Sequence, residues 1–191
     1  TWNKITNADV KGAQVIELYA QQFIWTARYS GADNELGSAH YRLVFPTNPS
    51  GTNALGVDTR NNDFNATWKD DIITSAADNV VHLVKGQPVL LKLRSKDVIH
   101  SAFLPHFRVQ MNCVPGMTTQ FAFTPTKTTA EMKEAEGEDF DYVLLCNKIC
   151  GASHYNMQMK FIVETQEEYD AWMSSQKTLS EKLSTQTLLL N

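Results

Sequence analysis

Cys146, Cys150, His154 and Met157 fall within the run Cys146-Asn147-Lys148-Ile149-Cys150-Gly151-Ala152-Ser153-His154-Tyr155-Asn156-Met157. Thiolate and thioether are soft ligands that select copper, zinc or iron–sulfur clusters, and imidazole suits copper and zinc. Gly151, directly after the second cysteine, allows the tight turn that would bring His154 and Met157 back toward the sulfurs. A second imidazole is available at His100, in Asp97-Val98-Ile99-His100-Ser101.

Three metal chemistries fit these residue types. Zinc held by Cys146, Cys150, His100 and His154 makes a closed tetrahedron, but with unusual four-residue steps and with Met157 unused. A mononuclear blue-copper site takes one cysteine, two histidines and a weak axial methionine, and this loop carries one cysteine more. Two thiolates bridging two copper ions, each also held by one imidazole, with Met157 as weak axial ligand, employ all five side chains. Catalytic metals keep a coordination position open, whereas closed sites hold structure or move electrons. The chemistry indicated is electron relay.

The third cysteine, Cys113, makes the count odd and argues against a fully paired disulfide framework. The plainest alternative is a Cys146–Cys150 disulfide with Cys113 as a buried free thiol. His82 and His106 have no partner in the sequence and are read as structural. Met111 and Met159 are read as strand-core residues.

The elements that must position these groups are mostly strands. Gln14 to Tyr29 reads as a long strand or a bent strand pair. Residues 30–79 are rich in Gly, Asn, Asp, Ser, Thr and Pro, which predicts a long loop excursion with one short strand at Tyr41–Phe45. Strand character resumes at Val80–Val84, Pro88–Ser95, Val98–Phe103, Phe107–Met111 and Thr118–Thr124, broken by Gly/Pro turns, as in an all-β sandwich or barrel. A short helix is expected at Thr129–Ala135. Strands at Tyr142–Cys146 and Met157–Glu164 flank the Cys/His/Met loop, and a helix runs from Gln166 to Lys182.

The chain has 191 residues, 42% hydrophobic and 20% charged, enough for one domain with a real core. The net charge of −4 and the absence of a Lys/Arg-rich run exclude a phosphate-backbone binder. No stretch approaches the roughly 18–20 apolar residues that span a bilayer. No signal peptide is visible, and the start at Thr1 reads as a mature, processed or truncated chain.

The loop is similar to the dinuclear copper (CuA) motif of cytochrome c oxidase subunit II, Cys-x-Glu-x-Cys-Gly-x-x-His-x-x-Met. Asp97-Val98-Ile99-His100-Ser101-Ala102-Phe103-Leu104-Pro105 resembles the family segment that supplies the other histidine, and Val114-Pro115-Gly116 the turn that follows. Leu55-Gly56-Val57 and the run from His82 to Val89 also resemble subunit II segments, so the similarity covers roughly residues 10–165. The resemblance implies an all-β, cupredoxin-like Greek-key barrel or sandwich over 13–165, with the loop-rich excursion inserted and a short C-terminal helix and tail over 166–191. Residues 1–12 would be a linker from transmembrane helices outside this chain.

The implied function is that of a haem-copper oxidase subunit whose two copper ions accept electrons from cytochrome c and pass them to haem a of subunit I. The implied partners are subunit I, the other membrane subunits and cytochrome c, and not nucleic acid. The implied place is the outer, periplasmic or intermembrane-space face of an energy-coupling membrane, the bacterial inner membrane above all. The implied copper ligands are His100, Cys146, Cys150, His154, Met157 and the backbone carbonyl of Lys148. In the family a glutamate stands at that last position and helps hold magnesium at the subunit I boundary; the Lys148 ammonium cannot do so. Electrons would come in near Phe23 and Trp25, because Gln22-Phe23-Ile24-Trp25 aligns with the family's Gln-Trp-x-Trp. Asn112, Cys113 and Met117 replace the usual Asp, Ala and Arg around the Pro-Gly turn.

Other functions fit less of the chain. A nitrous oxide reductase carries a similar loop but also needs a large propeller. A copper carrier on a thioredoxin-like fold needs helices that are absent here. A structural zinc domain leaves Met157 idle. The acidic run Glu131, Glu134, Glu136, Glu138, Asp139 and Asp141 reads as a solvated connection, with a docking surface for a basic cytochrome as the sharper alternative.

Overall fold

The computed structural model describes residues 10–40, 43, 55–61, 63, 66–74 and 79–189, with the side chains of 186–189 left out. It separates into two compact units, one of residues 1–27 and 74–175 and the other of 28–73 and 176–191.

The first unit is a sandwich of two sheets. In one, β1 (Gln14–Gln21), β2 (Ile24–Tyr29), β5 (Val89–Ser95) and β8 (Thr119–Phe123) lie in the order β2-β1-β5-β8, with β1 parallel to β5 and β8 antiparallel to it. In the other, β4 (Val80–Val84), β6 (His100–Leu104), β7 (Val109–Cys113), β9 (Tyr142–Cys146) and β10 (Gln158–Glu164) lie in the order β4-β10-β9-β6-β7, all antiparallel except β10 with β4. Alternation follows the two-residue strand period: in β5, Val89, Leu91 and Leu93 are buried and the residues between them are half-buried. Ile16, Leu18, Trp25, Leu83, Leu91, Leu93, Leu104, Leu144 and Phe161 form the core.

The run Gln14 to Tyr29 is a pair of strands folded at Gln22–Phe23, the bent alternative of the two expected. The strands around His100 each start two residues later than the sequence suggests, at His100 and Val109, and a 3-10 turn at Pro105–Phe107 takes the residues before the second. α1 spans Thr129–Glu136 behind a capping box in which Thr128 accepts from the Glu131 N–H and the Glu131 carboxylate accepts from the Thr128 N–H.

The helix expected over Gln166–Lys182 is instead two, α2 (Gln166–Ser175) and α3 (Leu179–Leu189). The Ser174 and Ser175 hydroxyls donate back to the carbonyls of Ala171 and Trp172. Thr178 then opens a second capping box with Glu181, which starts a new helix and forbids continuation of the old one. No helix among the described residues is long and apolar enough to cross a membrane.

In the second unit, β3 (Ile72–Ile73) pairs antiparallel with Arg28 and Tyr29, at the end of β2. Arg28 and Asp71 form a buried ion pair at 3.1 Å, and Asp71 also accepts from the Gly37 N–H. The Leu179 N–H donates to the Asp71 carbonyl, which fixes the start of α3 in this unit. A strand at Tyr41–Phe45 lies outside the described residues apart from Leu43, which has no strand pairing.

Candidate metal centre

The sheet order brings the five side chains together. His100 opens β6 and Cys146 closes β9; the strands are antiparallel, with Ala102 opposite Cys146, so both ligands stand at one end of the sheet. The mouth of the following loop is pinned by backbone bonds from Cys146 N–H to the Met157 carbonyl and from Asn147 N–H to the Ser101 carbonyl. Inside the loop, a 3-10 turn at His154–Asn156 folds His154 and Met157 back toward the sulfurs.

All three cysteines are free thiols. The Sγ atoms of Cys146 and Cys150 are 3.8 Å apart. His100 Nδ1 lies 3.7 Å from Cys146 Sγ, and His154 Nδ1 lies 3.6 Å from Cys150 Sγ. Met157 Sδ is 3.8 Å from Cys150 Sγ, and the Lys148 carbonyl oxygen is 3.3 Å from Cys146 Sγ. Metal bonds of about 2.0–2.3 Å place neighbouring donors of a tetrahedral ion roughly 3.5–3.8 Å apart, so these spacings suit donors that share a metal. The ligand atoms of His100, Cys146 and Cys150 all lie within 4.8 Å of one another. One imidazole therefore stands beside each thiol of the pair.

A second layer holds the first. Asp97 Oδ1 is 2.8 Å from His100 Nε2, which leaves Nδ1 facing Cys146, and Asp97 Oδ2 accepts from the Gln22 N–H at 2.7 Å. Burial works against the ionised Asp97, but the Gln22 N–H, the His100 ring and the Val98 N–H together hold its carboxyl below the usual range. Burial, with Cys146 beside it, pushes the Cys150 thiol up to about 11, so an ion that binds there must displace a proton. The Gln22 side-chain amide donates to the Cys150 carbonyl and ties the β1–β2 turn to the copper loop.

Phe23 and Trp25 take different places. Trp25 is buried, meets the His100 ring edge-on at 6.2 Å and directs its indole N–H to the Met157 carbonyl at 3.5 Å. Phe23 is half-buried beside Gly151. A Cβ at Gly151 would sit 2.8 Å from both the Phe23 ring and the Gln22 amide, and its φ of +141° is one that side-chain-bearing residues rarely adopt. Gly151→Ala is therefore expected to displace the loop, at a cost of roughly 1–3 kcal/mol. Copper retention measured by chelator competition should fall about tenfold or more; unchanged retention would show that the contact yields freely.

Two supporting residues stood in the sequence without an assigned role. Asp97, three residues before His100, and Gln22, directly before Phe23, were visible only as members of motifs, and the contact Gln22 makes with Cys150 spans 128 positions. Cys113 is a buried free thiol opposite His100 in the β6–β7 register, and burial pushes it up to about 12. His82 is structural as read, paired with Glu164 at 2.8 Å and stacked on Trp172 at 4.0 Å.

Comparison with known proteins agrees with this geometry. The family profile described as cytochrome C oxidase subunit II, periplasmic domain, matches residues 15–166. The alternative cytochrome c oxidase subunit 2 of Bradyrhizobium diazoefficiens is 36% identical over 179 residues, 94% of this chain and 56% of that protein. Cytochrome c oxidase subunit 2 of Cereibacter sphaeroides is 27% identical over 170 residues, 89% of this chain and 50% of that protein. The chain thus spans about half the length of these curated relatives. The crystal structure of the periplasmic domain of subunit II of cytochrome oxidase (CoxB) of Bradyrhizobium japonicum superposes with a TM-score of 0.54 at 20% identity, over 87% of this chain and 94% of that one, which bears out the cupredoxin-like β sandwich. With a family match over most of its length and a soft-donor cluster at the motif, the chain belongs to the cytochrome c oxidase subunit II family, in that family's periplasmic domain.

Proposed function

We propose that this chain is the electron-accepting domain of a haem-copper cytochrome c oxidase, taking electrons from cytochrome c and passing them to haem a of subunit I on the outer face of a bacterial inner membrane. The observation that carries this reading is the pair of thiols 3.8 Å apart with an imidazole on each. Held by His100, Cys146, Cys150, His154, Met157 and the Lys148 carbonyl, two copper ions would supply one-electron redox chemistry with little movement of the ligands. The protein's part is rigidity: Asp97 orients His100, Gln22 clamps the Cys150 carbonyl, and the sheet end fixes Cys146.

The surroundings suit transient partners. Ile24, Val98, Ile99, Met117, Ile149 and Tyr155 are the exposed large hydrophobics among the described residues, and each lies in or beside a segment at the copper end of the strands. Ile149 and Tyr155, each next to a ligand, are 85% and 87% exposed. Such a patch on a polar protein marks a contact surface. Phe23, packed on Gly151 directly after Cys150, is the place we assign to incoming electrons, and Trp25 packs behind His100.

The acidic run lies on the connection from β8 to β9, at the strand ends away from the ligands. Two of its members are already paired, Glu131 with Lys85 and Asp141 with Lys160. Charge there contributes to long-range steering rather than to contact at the copper centre. The Lys148 ammonium stands in place of a magnesium-binding carboxylate, so no magnesium is assigned at this loop.

The test is copper stoichiometry with electron paramagnetic resonance on the loaded chain. Two coppers per chain sharing one unpaired electron are expected. One copper, or zinc with no signal, would sink the relay and leave the fold standing.

A further inference from the structure

The strand ends opposite the copper centre enclose a second site. β6 leaves His100 and arrives five residues on at Pro105, about 16 Å away at the rise of an extended strand. There the β6–β7 turn, the segment after β8 and the first residue of β9 surround a cavity of about 340 Å³. Phe107 is its apolar floor, stacked on Tyr142 at 4.6 Å and packed against Phe123 at 4.8 Å. Arg108, Lys127 and His106 bring cationic or hydrogen-bonding groups to the rim, and no carboxylate lines the cavity.

The rim is built in advance. The Tyr142 hydroxyl donates to the Lys127 carbonyl at 3.1 Å, the Gly86 N–H donates to the Pro125 carbonyl at 2.8 Å, and Thr128 is locked in the capping box of α1. Arg108 holds a left-handed conformation with φ of 54°, and its N–H closes the turn on the Pro105 carbonyl. Of the described arginines, Arg28, Arg60 and Arg94 each grip a carboxylate at 2.5–3.1 Å. No such side-chain partner is found for Arg108 among the described residues, although its planar fork is matched to a carboxylate. Aromatic rings and two cations in one lining, neither cation paired with a carboxylate among the described residues, with Glu131 nearby already paired to Lys85, are the chemistry of a site for a flat organic anion.

We infer that this cavity binds a small carboxylic acid with a flat apolar body, the carboxylate held by Arg108 and Lys127 and the body laid against Phe107 and Phe123. The site is independent of the copper centre, and its occupancy does not depend on metal loading.

Benzoate and its neutral isostere benzamide are the probes, titrated into the isotopically labelled 191-residue chain while backbone amide signals are followed. Benzoate should shift the signals of residues 106–108, 123–127 and 142 saturably, and benzamide should bind at least tenfold more weakly. Arg108→Asn keeps a residue that tolerates the left-handed backbone and should weaken benzoate at least tenfold. Lys127→Gln, away from that strained turn, should weaken it severalfold. Shifts scattered over the surface, equal binding of benzamide, or undiminished binding in both variants would overturn the inference.

Discussion

Cys150→Ser should leave a chain that binds at most one copper and has lost the shared-spin signature. Cys150 Sγ is the donor on which the others depend: it lies 3.8 Å from Cys146 Sγ, 3.6 Å from His154 Nδ1 and 3.8 Å from Met157 Sδ. A serine hydroxyl is a hard, protonated oxygen that neither bridges soft ions nor releases its proton near neutral pH. The loss should exceed the roughly 10–100-fold effect typical of changes behind the ligands. Cys146→Ser should be milder in kind. It keeps Cys150, His154 and Met157 together with His100 within 4.8 Å of Cys150, a one-cysteine, two-histidine set able to hold a single copper with a blue-copper spectrum. Copper content and electron paramagnetic resonance of the two variants read out this asymmetry. An intact dinuclear spectrum in Cys150→Ser would remove the bridging role.

Asp71→Ala should destabilise the chain by about 3–5 kcal/mol, the cost of leaving a buried charge without its partner. Arg28 and Asp71 are 2% and 0% exposed, and the same Asp71 oxygen also accepts from the Gly37 N–H. Deleting the carboxylate therefore removes the counter-charge of a guanidinium that keeps its bond to the Gly37 carbonyl, and leaves the Gly37 N–H without its acceptor. The double replacement Arg28→Met with Asp71→Leu removes both charges and should recover much of the loss, because a well-packed apolar pair often equals a buried ion pair. Equilibrium urea unfolding of the single and double variants decides the matter. A single variant no less stable than the double would show that the pair is not the source of the effect.

The two predictions differ in how far the sequence announced them. The candidate metal ligands were legible because soft donors at fixed spacing in a short loop carry their chemistry with them, and Met157, idle in a zinc site, weighed toward copper. The ion pair was not legible. Arg28 and Asp71 are 43 positions apart, with nothing around either to distinguish a buried charge from a solvated one.

Strand existence was likewise written locally, since alternation in a segment such as Val89–Ser95 is a property of seven consecutive residues. The division of the C-terminal helix was written locally too, in Thr178 and Glu181, but helical composition across the break concealed it. The short β3 strand escaped notice because two residues make no period, and only its pairing with Arg28 and Tyr29 defines it.

By itself, then, the sequence determined the all-β class, the candidate donors and the family, because each rests on residue type and short-range spacing. The tertiary structure alone decided which donors face one another, for that depends on strand order: β6 beside β9 sets His100 against Cys146, and no local pattern encodes that adjacency. It also decided that Gln22 and Asp97 brace the loop, that Trp25 lies buried beside His100 while Phe23 packs on Gly151, and that Arg108 and Lys127 line one cavity with Phe107 and Phe123. Each of these joins residues far apart in the chain, and side chains so separated acquire a common environment only when the sheets pack.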